Sequence, residues 1–190
     1  MKTYIGIDPG WKKLGFAILI WDESQDKPIA KYLETLDMSF NTQGKIISRI
    51  NLGNNPEVIG LERYVSYGNV RSTHTEDITR VIGMIEMYVF IQNLNSVKQT
   101  SLNTIRAIDW KTELVQNLSR HFGFDNKFTA LDKDFSMQAA KFIVSNPESI
   151  KTDHEADAIC IAALPIIKDK IKQLDKNNKK GDSHQYSIDL

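Results

Sequence analysis

Four side chains from three separate segments could together form an acidic site. Asp8 ends one apolar run, Glu62 ends another, and His154 and Asp157 lie three residues apart near a predicted helix start. A carboxylate at the end of a core strand is costly unless it is hydrated, paired or bound to a cation. Residues three apart on a helix share a face. The pattern predicts a site at one sheet edge, completed by a helix docked across that edge.

A cluster of this composition suits a divalent metal ion. Carboxylates a few ångströms apart repel and raise each other's pKa, and a divalent cation reverses that effect. Oxygen ligands with one imidazole suit Mg²⁺ or Mn²⁺. Two such ions about 4 Å apart can activate a water and stabilise the leaving oxygen of a phosphodiester. Asp8, Glu62, His154 and Asp157 are therefore candidates for both metal binding and catalysis of phosphodiester hydrolysis.

These residues also have purely structural interpretations. Asp8 could cap the amides of the following turn, and Glu62 could pair with the adjacent Arg63. His154 could be an exposed helix residue. Asp153 is either a helix N-cap or a substitute for His154 as a ligand. The occurrence of four such residues at related positions favours the shared site.

The composition is that of one globular domain. Of the 190 residues, 41% are apolar and 25% are charged, which is enough to build a core and too apolar for disorder. The formal net charge of zero excludes a histone-like, generally polybasic binding mode but not a local basic groove. The single cysteine, Cys160, excludes an internal disulfide framework and a cysteine-rich zinc site, and its apolar neighbours indicate a core residue.

No segment has the pattern of a membrane span or of a cleavable leader. No apolar stretch is long enough to cross a bilayer, and strand-like residues begin almost at the N-terminus. A cytoplasmic protein without a membrane partner is expected.

Five apolar runs predict the strands of a mixed sheet. The first three are expected to form an antiparallel meander, and the fourth to lie parallel to the first after a crossover through residues 40–55. The runs are residues 3–8, 14–20, 29–36, 58–62 and 97–100. If the first and fourth strands are neighbours, Asp8 and Glu62 lie side by side.

Helices are expected to flank this sheet and complete an α/β fold. The predicted helices cover about residues 45–50, 75–92, 109–121, 136–144 and 153–167. Asp109 and Asp153 are typical of helix starts, and Pro165 is expected to bend or end the last helix. The polar composition beyond residue 168 predicts a frayed helix end and a mobile tail. The domain is therefore expected to cover residues 1–167 and the tail residues 168–190.

Basic and aromatic residues near the acidic segments are candidates for contacts with DNA. Tyr67 follows a polar residue and precedes a glycine in a short loop, which suits a stacking tip, although a core-edge tyrosine would look the same. Candidate phosphate contacts, with solvated surface charge as the alternative, are Arg63, Arg71, Lys111 and Lys133. On the predicted helix 75–92, additional apolar residues suit either the core or a dimer interface; they are Met84, Met87 and Phe90.

Three segments resemble the motifs of RuvC-type Holliday junction resolvases. The first motif is similar to Ile5-Gly6-Ile7-Asp8-Pro9-Gly10 followed by Gly15-Phe16-Ala17, the second to Ile59-Gly60-Leu61-Glu62, and the last to His154-Glu155-Ala156-Asp157-Ala158-Ile159. Their order and spacing agree across about residues 3–165. The first motif alone also occurs in YqgF-type proteins and resembles the phosphate loop of actin-like ATPases, whereas the three together are more specific.

The resemblance implies an RNase H-like fold, a homodimer and Mg²⁺-dependent nicking of four-way DNA junctions in recombination and repair. It implies four metal-binding positions, which are Asp8, Glu62, His154 and Asp157, holding two Mg²⁺ ions that Mn²⁺ can replace. Some members of the family carry an aspartate where His154 stands. Lys111 and Lys133 lie near positions where the family has DNA-contacting lysines.

The chain departs from the family after the second acid. Bacterial resolvases usually carry an aromatic or other apolar wedge shortly after it, and neither Tyr64 nor Tyr67 matches that position. The divergence and the polar tail favour a relative from a phage or mobile element.

The expected function is a metal-dependent endonuclease that resolves four-way or branched DNA junctions by paired phosphodiester hydrolysis. One alternative is a YqgF-like nuclease acting on RNA. Another is an actin-like nucleotide-binding ATPase, although the sequence has no recognisable second phosphate loop or adenosine motif. A non-catalytic nucleic-acid-binding module is the third, and the intact site residues argue against it.

Overall fold

A five-stranded mixed sheet with helices on both faces forms the centre of the structure. The structure is a computed structural model and describes residues 1–10, 12–38, 42–63, 73–125 and 127–182. The strands are β1 (Lys2–Pro9), β2 (Lys13–Trp21), β3 (Ile29–Asp37), β4 (Val58–Arg63) and β5 (Ser101–Arg106). The helices are α1 (Thr42–Leu52), α2 (Thr73–Leu94), α3 (Ala107–Phe122), α4 (Phe135–Ile143) and α5 (Asp153–Asp182), with a 3₁₀ turn at Pro147–Ser149.

The strand order β3-β2-β1-β4-β5 confirms the predicted meander and crossover. β1 pairs antiparallel with β2 and parallel with β4, and β4 pairs parallel with β5. Helix α1 supplies the crossover from β3 to β4. The register aligns Ile7 with Leu61, so Asp8 and Glu62 occupy equivalent positions at the carboxyl ends of neighbouring strands.

Two apolar layers cover the sheet, one on each face. Helices α3, α4 and α5 pack on one face, where Trp110 and Phe135 are completely buried. Helices α1 and α2 pack on the other face against β1 residues such as Ile5 and Ile7. Because side chains alternate along a strand, Asp8 faces the layer that contains α5. Cys160 is buried in that layer, as predicted.

The backbone of α5 lies directly on the sheet at two glycines. A Cβ atom on Gly6 would overlap the carbonyl oxygen of Ala158, and a Cβ atom on Gly15 would overlap that of His154. Glycine is therefore required at both positions for this close approach. The contact sets the height and register of α5 above β1 and β2.

The fifth strand begins after the predicted segment 97–100. Val97 is fully exposed, and the side chain of Asn93 bonds both the N–H of Thr100 (2.8 Å) and its carbonyl oxygen (2.9 Å). These bonds tie residue 100 to the end of α2 before β5 starts at Ser101. The predicted bounds of this strand are wrong because Val97 is a single apolar residue in a polar turn.

Helix α5 also differs from its prediction, because it continues through Pro165 to Asp182. Proline removes the donor that would bond the carbonyl of Ile161. Residues on both sides of Pro165 are buried, including Leu164 and Ile166, so packing against the sheet outweighs the loss of one helical hydrogen bond. The predicted helix end at 167 is therefore wrong, whereas the division into a domain and a mobile tail remains a prediction.

No helix in the described ranges is both long and apolar enough to cross a bilayer.

Candidate active site

Asp8 lies one residue before the end of β1 and is only 7% exposed. The Nδ1 atom of His154, on α5, lies 3.1 Å from its Oδ2 atom. A buried carboxylate needs such a partner because desolvation disfavours its charge. The contact confirms that the first strand and the last helix bring their predicted residues together.

Glu62 lies beside Asp8 at the same edge of the sheet, on the neighbouring strand β4. Its Oε2 atom accepts a hydrogen bond of 2.8 Å from the indole Nε1–H of Trp110 on α3. Trp110 is completely buried. Glu62 is therefore held by a donor in the core, and the described ion pairs do not join it to the adjacent Arg63.

A capping box begins α5 and places its functional residues. The N–H of Glu155 donates to Oγ1 of Thr152 (3.2 Å), and Oε2 of Glu155 accepts from the N–H groups of Lys151 (2.7 Å) and Thr152 (3.2 Å). Oγ1 of Thr152 also lies 2.6 Å from Oγ1 of Thr35 on β3. The first turn, which carries His154 and Asp157, is thereby tied to the sheet. Thr152, rather than Asp153, accepts the capping bond.

Asp157 faces the same cluster from α5. Its Oδ1 atom is buried and makes no hydrogen bond with any residue that the structure describes, although Nζ of Lys111 on α3 lies 3.8 Å away. Lys111 is adjacent to Trp110, so consecutive residues of α3 approach two different site carboxylates. An unbonded carboxylate oxygen in a partly buried site is an available ligand for a cation.

Charge crowding perturbs the acids of this site. Burial, with the neighbouring charges of Asp8 and Asp157, raises the pKa of Glu62 to about 7, while the Trp110 hydrogen bond and Lys111 oppose the rise. Burial and Asp8 also raise the pKa of Asp157 against the opposing effects of Lys111 and Ser136. The hydrogen bond to Asp8 raises the pKa of His154. Three acids thus influence one another, as expected of a site that favours positive charge.

The donor chemistry fits a hard divalent cation. Three mutually repelling carboxylates, one of them with an unbonded buried oxygen, are the oxygen donors that Mg²⁺ and Mn²⁺ prefer. Within the described ranges, no three His, Cys, Asp or Glu side chains are already arranged so that they could hold a metal ion. In the structure, His154, Trp110 and Lys111 partner the acids instead.

The predicted DNA-contact residues have different outcomes. Lys111 lies in the site, beside Asp157. Lys133 lies on an exposed turn before α4. The predictions for Tyr64, Tyr67 and Arg71 lie outside the described residues.

Sequence reasoning missed three residues of the site region. The Thr-x-x-Glu spacing of residues 152–155 is a readable signal for Glu155 as a capping residue. Arg106 ends β5 in register with Arg63, and it makes bidentate hydrogen bonds of 2.6 and 2.8 Å to Asp109. The sequence around Trp110 shows only an aromatic residue in the first turn of a helix, because its hydrogen-bond partner, Glu62, lies on strand β4 far away in the chain.

Comparisons with known proteins establish the fold. No protein-family model matches the sequence, and no curated protein matches it. RuvC of Thermus thermophilus matches with a TM-score of 0.64 at 18% identity, covering 90% of this chain and 96% of that one. The same protein in complex with a Holliday junction substrate matches with a TM-score of 0.60 at 15% identity, covering 89% and 96%. The yeast mitochondrial Holliday junction resolvase Ydc2 matches with a TM-score of 0.55 at 17% identity, covering 84% and 76%.

These likenesses confirm the predicted RNase H-like fold and its resemblance to RuvC-type resolvases. The match extends over nearly the whole of the RuvC chain, so the two proteins share their overall architecture. The origin in a phage or mobile element stays a prediction.

Proposed function

We propose that this protein is a metal-dependent endonuclease that resolves four-way or branched DNA junctions. The observation that carries the proposal is the convergence of Asp8, Glu62 and Asp157 at one sheet edge, with His154 against Asp8. The cluster occurs on a fold shared with solved Holliday junction resolvases, one of them bound to a junction. A crowded group of acids at this place is difficult to explain by stability, since burial raises the pKa of two of them.

Asp8, Glu62 and Asp157 would hold Mg²⁺ or Mn²⁺, with His154 as a further ligand. The bound ions would supply an activated water and charge stabilisation for phosphodiester hydrolysis. His154 engages Asp8 through Nδ1 and is 39% exposed, which leaves Nε2 for a ligand or a proton. Trp110 holds Glu62 from the core side and excludes water from that side.

Basic side chains at the same edge of the sheet would bind the DNA backbone. Arg63 and Arg106 end neighbouring strands in register, and Lys111 lies within the site. Phosphate contacts of this kind position a duplex without reading its sequence. Tyr67, Arg71 and Lys133 remain proposed contacts in the surrounding loops.

An exposed apolar stripe on α2 would form the homodimer interface. Met87, Phe90, Ile91 and Leu94 are between 46% and 68% exposed and recur at helical spacing. Met87 and Phe90 are therefore not part of the core, which was one of the two interpretations of their apolar side chains. A twofold axis through such a stripe would relate two active sites, which suits paired cuts in a symmetric junction.

The dimer can be tested by analytical ultracentrifugation. Phe90→Glu is expected to give monomers, while Leu131→Glu, at an exposed apolar residue on the turn before α4, is expected to leave the dimer intact. Equal association states for the two variants would exclude the α2 interface.

The nuclease itself can be tested with a synthetic four-way junction, a linear duplex and a structured RNA, each with and without Mg²⁺. Symmetric, Mg²⁺-dependent nicks in the junction are expected, and Asp8→Asn is expected to abolish them while retaining junction binding. Cleavage of RNA alone would favour the YqgF-like alternative. Binding without any cleavage would contradict the enzymatic proposal.

A further inference from the structure

Trp110 contributes a polar atom to the site from within the core. Its side chain is completely buried, yet its indole N–H points to Oε2 of Glu62 at 2.8 Å. An indole carries one donor and no acceptor. The bond therefore satisfies both the tryptophan donor and one of the two carboxylate oxygens.

The rest of α3 holds Trp110 in place. Leu114 and Leu118 follow on the same side of the helix and are buried in the apolar layer that contains α5. A rigid aromatic side chain on a packed helix defines the position of its N–H more closely than a surface side chain could. The Glu62 carboxylate is thus oriented by an element other than its own strand.

The next residue links the same helix to the other side of the site. Nζ of Lys111 lies 3.8 Å from Oδ1 of Asp157 and 5.1 Å from the centre of the Trp110 ring. The first turn of α3 therefore approaches Glu62 through Trp110 and Asp157 through Lys111. Of these two residues, Trp110 is the one that hydrogen-bonds directly to its carboxylate, that of Glu62, and its side chain is completely buried.

We propose that Trp110 is a positioning residue for Glu62, whose indole N–H holds Oε2 so that Oε1 is presented to a divalent cation. The inference rests on the proposed nuclease function, because it gives Glu62 a metal to bind. Partners that orient a metal ligand typically change metal affinity or activity 10- to 100-fold when removed.

The decisive variant is Trp110→Phe, which keeps an aromatic ring and removes the donor. Trp21→Phe is the matched control, since Trp21 is equally buried and its Nε1–H donates to the carbonyl of Gln25 (3.1 Å), outside the acidic site. Both variants are measured as full-length protein for Mn²⁺ binding by calorimetry without DNA, and for junction cleavage.

Trp110→Phe is expected to weaken Mn²⁺ binding about 10-fold or more and to lower kcat by a similar factor, with KM for the junction unchanged. Trp21→Phe is expected to match the wild-type protein in all three quantities. Equal Mn²⁺ affinity and equal kcat in the two variants would overturn the positioning role. A wild-type protein that neither binds Mn²⁺ nor cuts junctions would instead overturn the proposed function.

A second measurement covers the case in which Trp110→Phe does not fold. The chain has three tryptophans, so the double variant Trp11→Phe/Trp21→Phe leaves Trp110 as the only one. Its emission is expected to change on addition of Mg²⁺, and the further substitution Glu62→Gln is expected to remove the change. The proposal would be contradicted if the tryptophan fluorescence of the double variant did not change with Mg²⁺ while the same variant still cut junctions in a Mg²⁺-dependent manner.

Discussion

His154 and Asp8 are joined by a contact of 3.1 Å between Nδ1 and Oδ2, although 146 positions separate them in the chain. Asp8 pairs in register with Gly15 on β2, and the carbonyl of His154 lies above that glycine. The contact between Asp8 and His154 and one of the two close approaches of α5 to the sheet therefore occur at the same place.

The contribution of this contact to stability depends on pH. Asp8 raises the pKa of His154 above its ordinary value of 6.5, so the folded state binds the proton more tightly than the unfolded state. The stabilisation is fully present below pH 6.5 and is lost as the pH rises through the higher folded-state pKa. His154→Gln is expected to lower the free energy of unfolding at pH 6 in EDTA and to have a smaller effect at pH 9. Urea unfolding of the wild type and the variant at the two pH values tests this. A difference in the free energy of unfolding that is the same at both pH values would contradict it.

The contribution of Glu62 to stability is expected to fall with rising pH as well, but it begins to fall from a lower pH. Burial and acidic neighbours raise its pKa from 4.5 to about 7, so the folded state holds the proton that the unfolded state releases. The contribution of Glu62 to stability therefore falls as the pH rises from 4.5 to about 7, by up to roughly 3 kcal/mol.

Glu62→Gln removes this charge and is expected to be more stable than the wild type at pH 8 without metal, with a smaller difference at pH 5. The exposed Glu86→Gln is the control. Thermal unfolding in EDTA measures both variants. A Glu62→Gln protein that is less stable at pH 8 would show that the charge is not the dominant penalty.

The capping box of α5 is expected to support both stability and activity. Glu155→Ala leaves the N–H groups of Lys151 and Thr152 without their buried acceptor, which is expected to cost about 1–3 kcal/mol. The same change loosens the turn that carries His154 and Asp157, so cleavage is expected to fall as well.

Asp153→Ala is the comparison for Glu155→Ala, because Asp153 is exposed in the same turn. It is expected to change stability by less than about 1 kcal/mol and to retain most of the cleavage activity. Loss of activity in this variant at unchanged stability would instead indicate that Asp153 takes part in metal binding. Chemical denaturation and junction cleavage distinguish these outcomes.

A single methyl group at Gly15 is expected to disrupt the site. In Gly15→Ala the new Cβ would overlap the His154 carbonyl, so α5 must shift away from the sheet. We expect a loss of stability of more than about 1 kcal/mol and a large loss of cleavage. Gly44→Ala is the control, since Gly44 is exposed on α1 with open space around it, and it is expected to be neutral or slightly stabilising. Similar effects of the two substitutions would contradict the close approach.

Much of the site could be predicted from sequence because its residues follow simple geometry. Apolar runs that end in acids indicate strand ends, and parallel strands bring those ends to one edge, which places Asp8 beside Glu62. The three-residue spacing of His154 and Asp157 places both side chains on one face as soon as the segment is helical.

The remaining features depend on tertiary packing. The bond from Trp110 to Glu62 arises from how α3 docks on the sheet, and no local pattern encodes it. Pro165 is a strong local signal for a helix end, but the burial of its neighbours overrides that signal. The start of β5 was misplaced because the side chain of Asn93 governs residue 100 from seven positions away.

The glycines beneath α5 make the spacing of the site a property of the main chain. The separation between α5 and the strands β1 and β2 is set where backbone atoms meet, at Gly6 on β1 and Gly15 on β2. Apolar substitutions elsewhere in the core are therefore expected to disturb the distances between the site residues less than a Cβ atom at either glycine would. In a complete substitution scan, two positions that carry no side chain would be among the least replaceable in the protein.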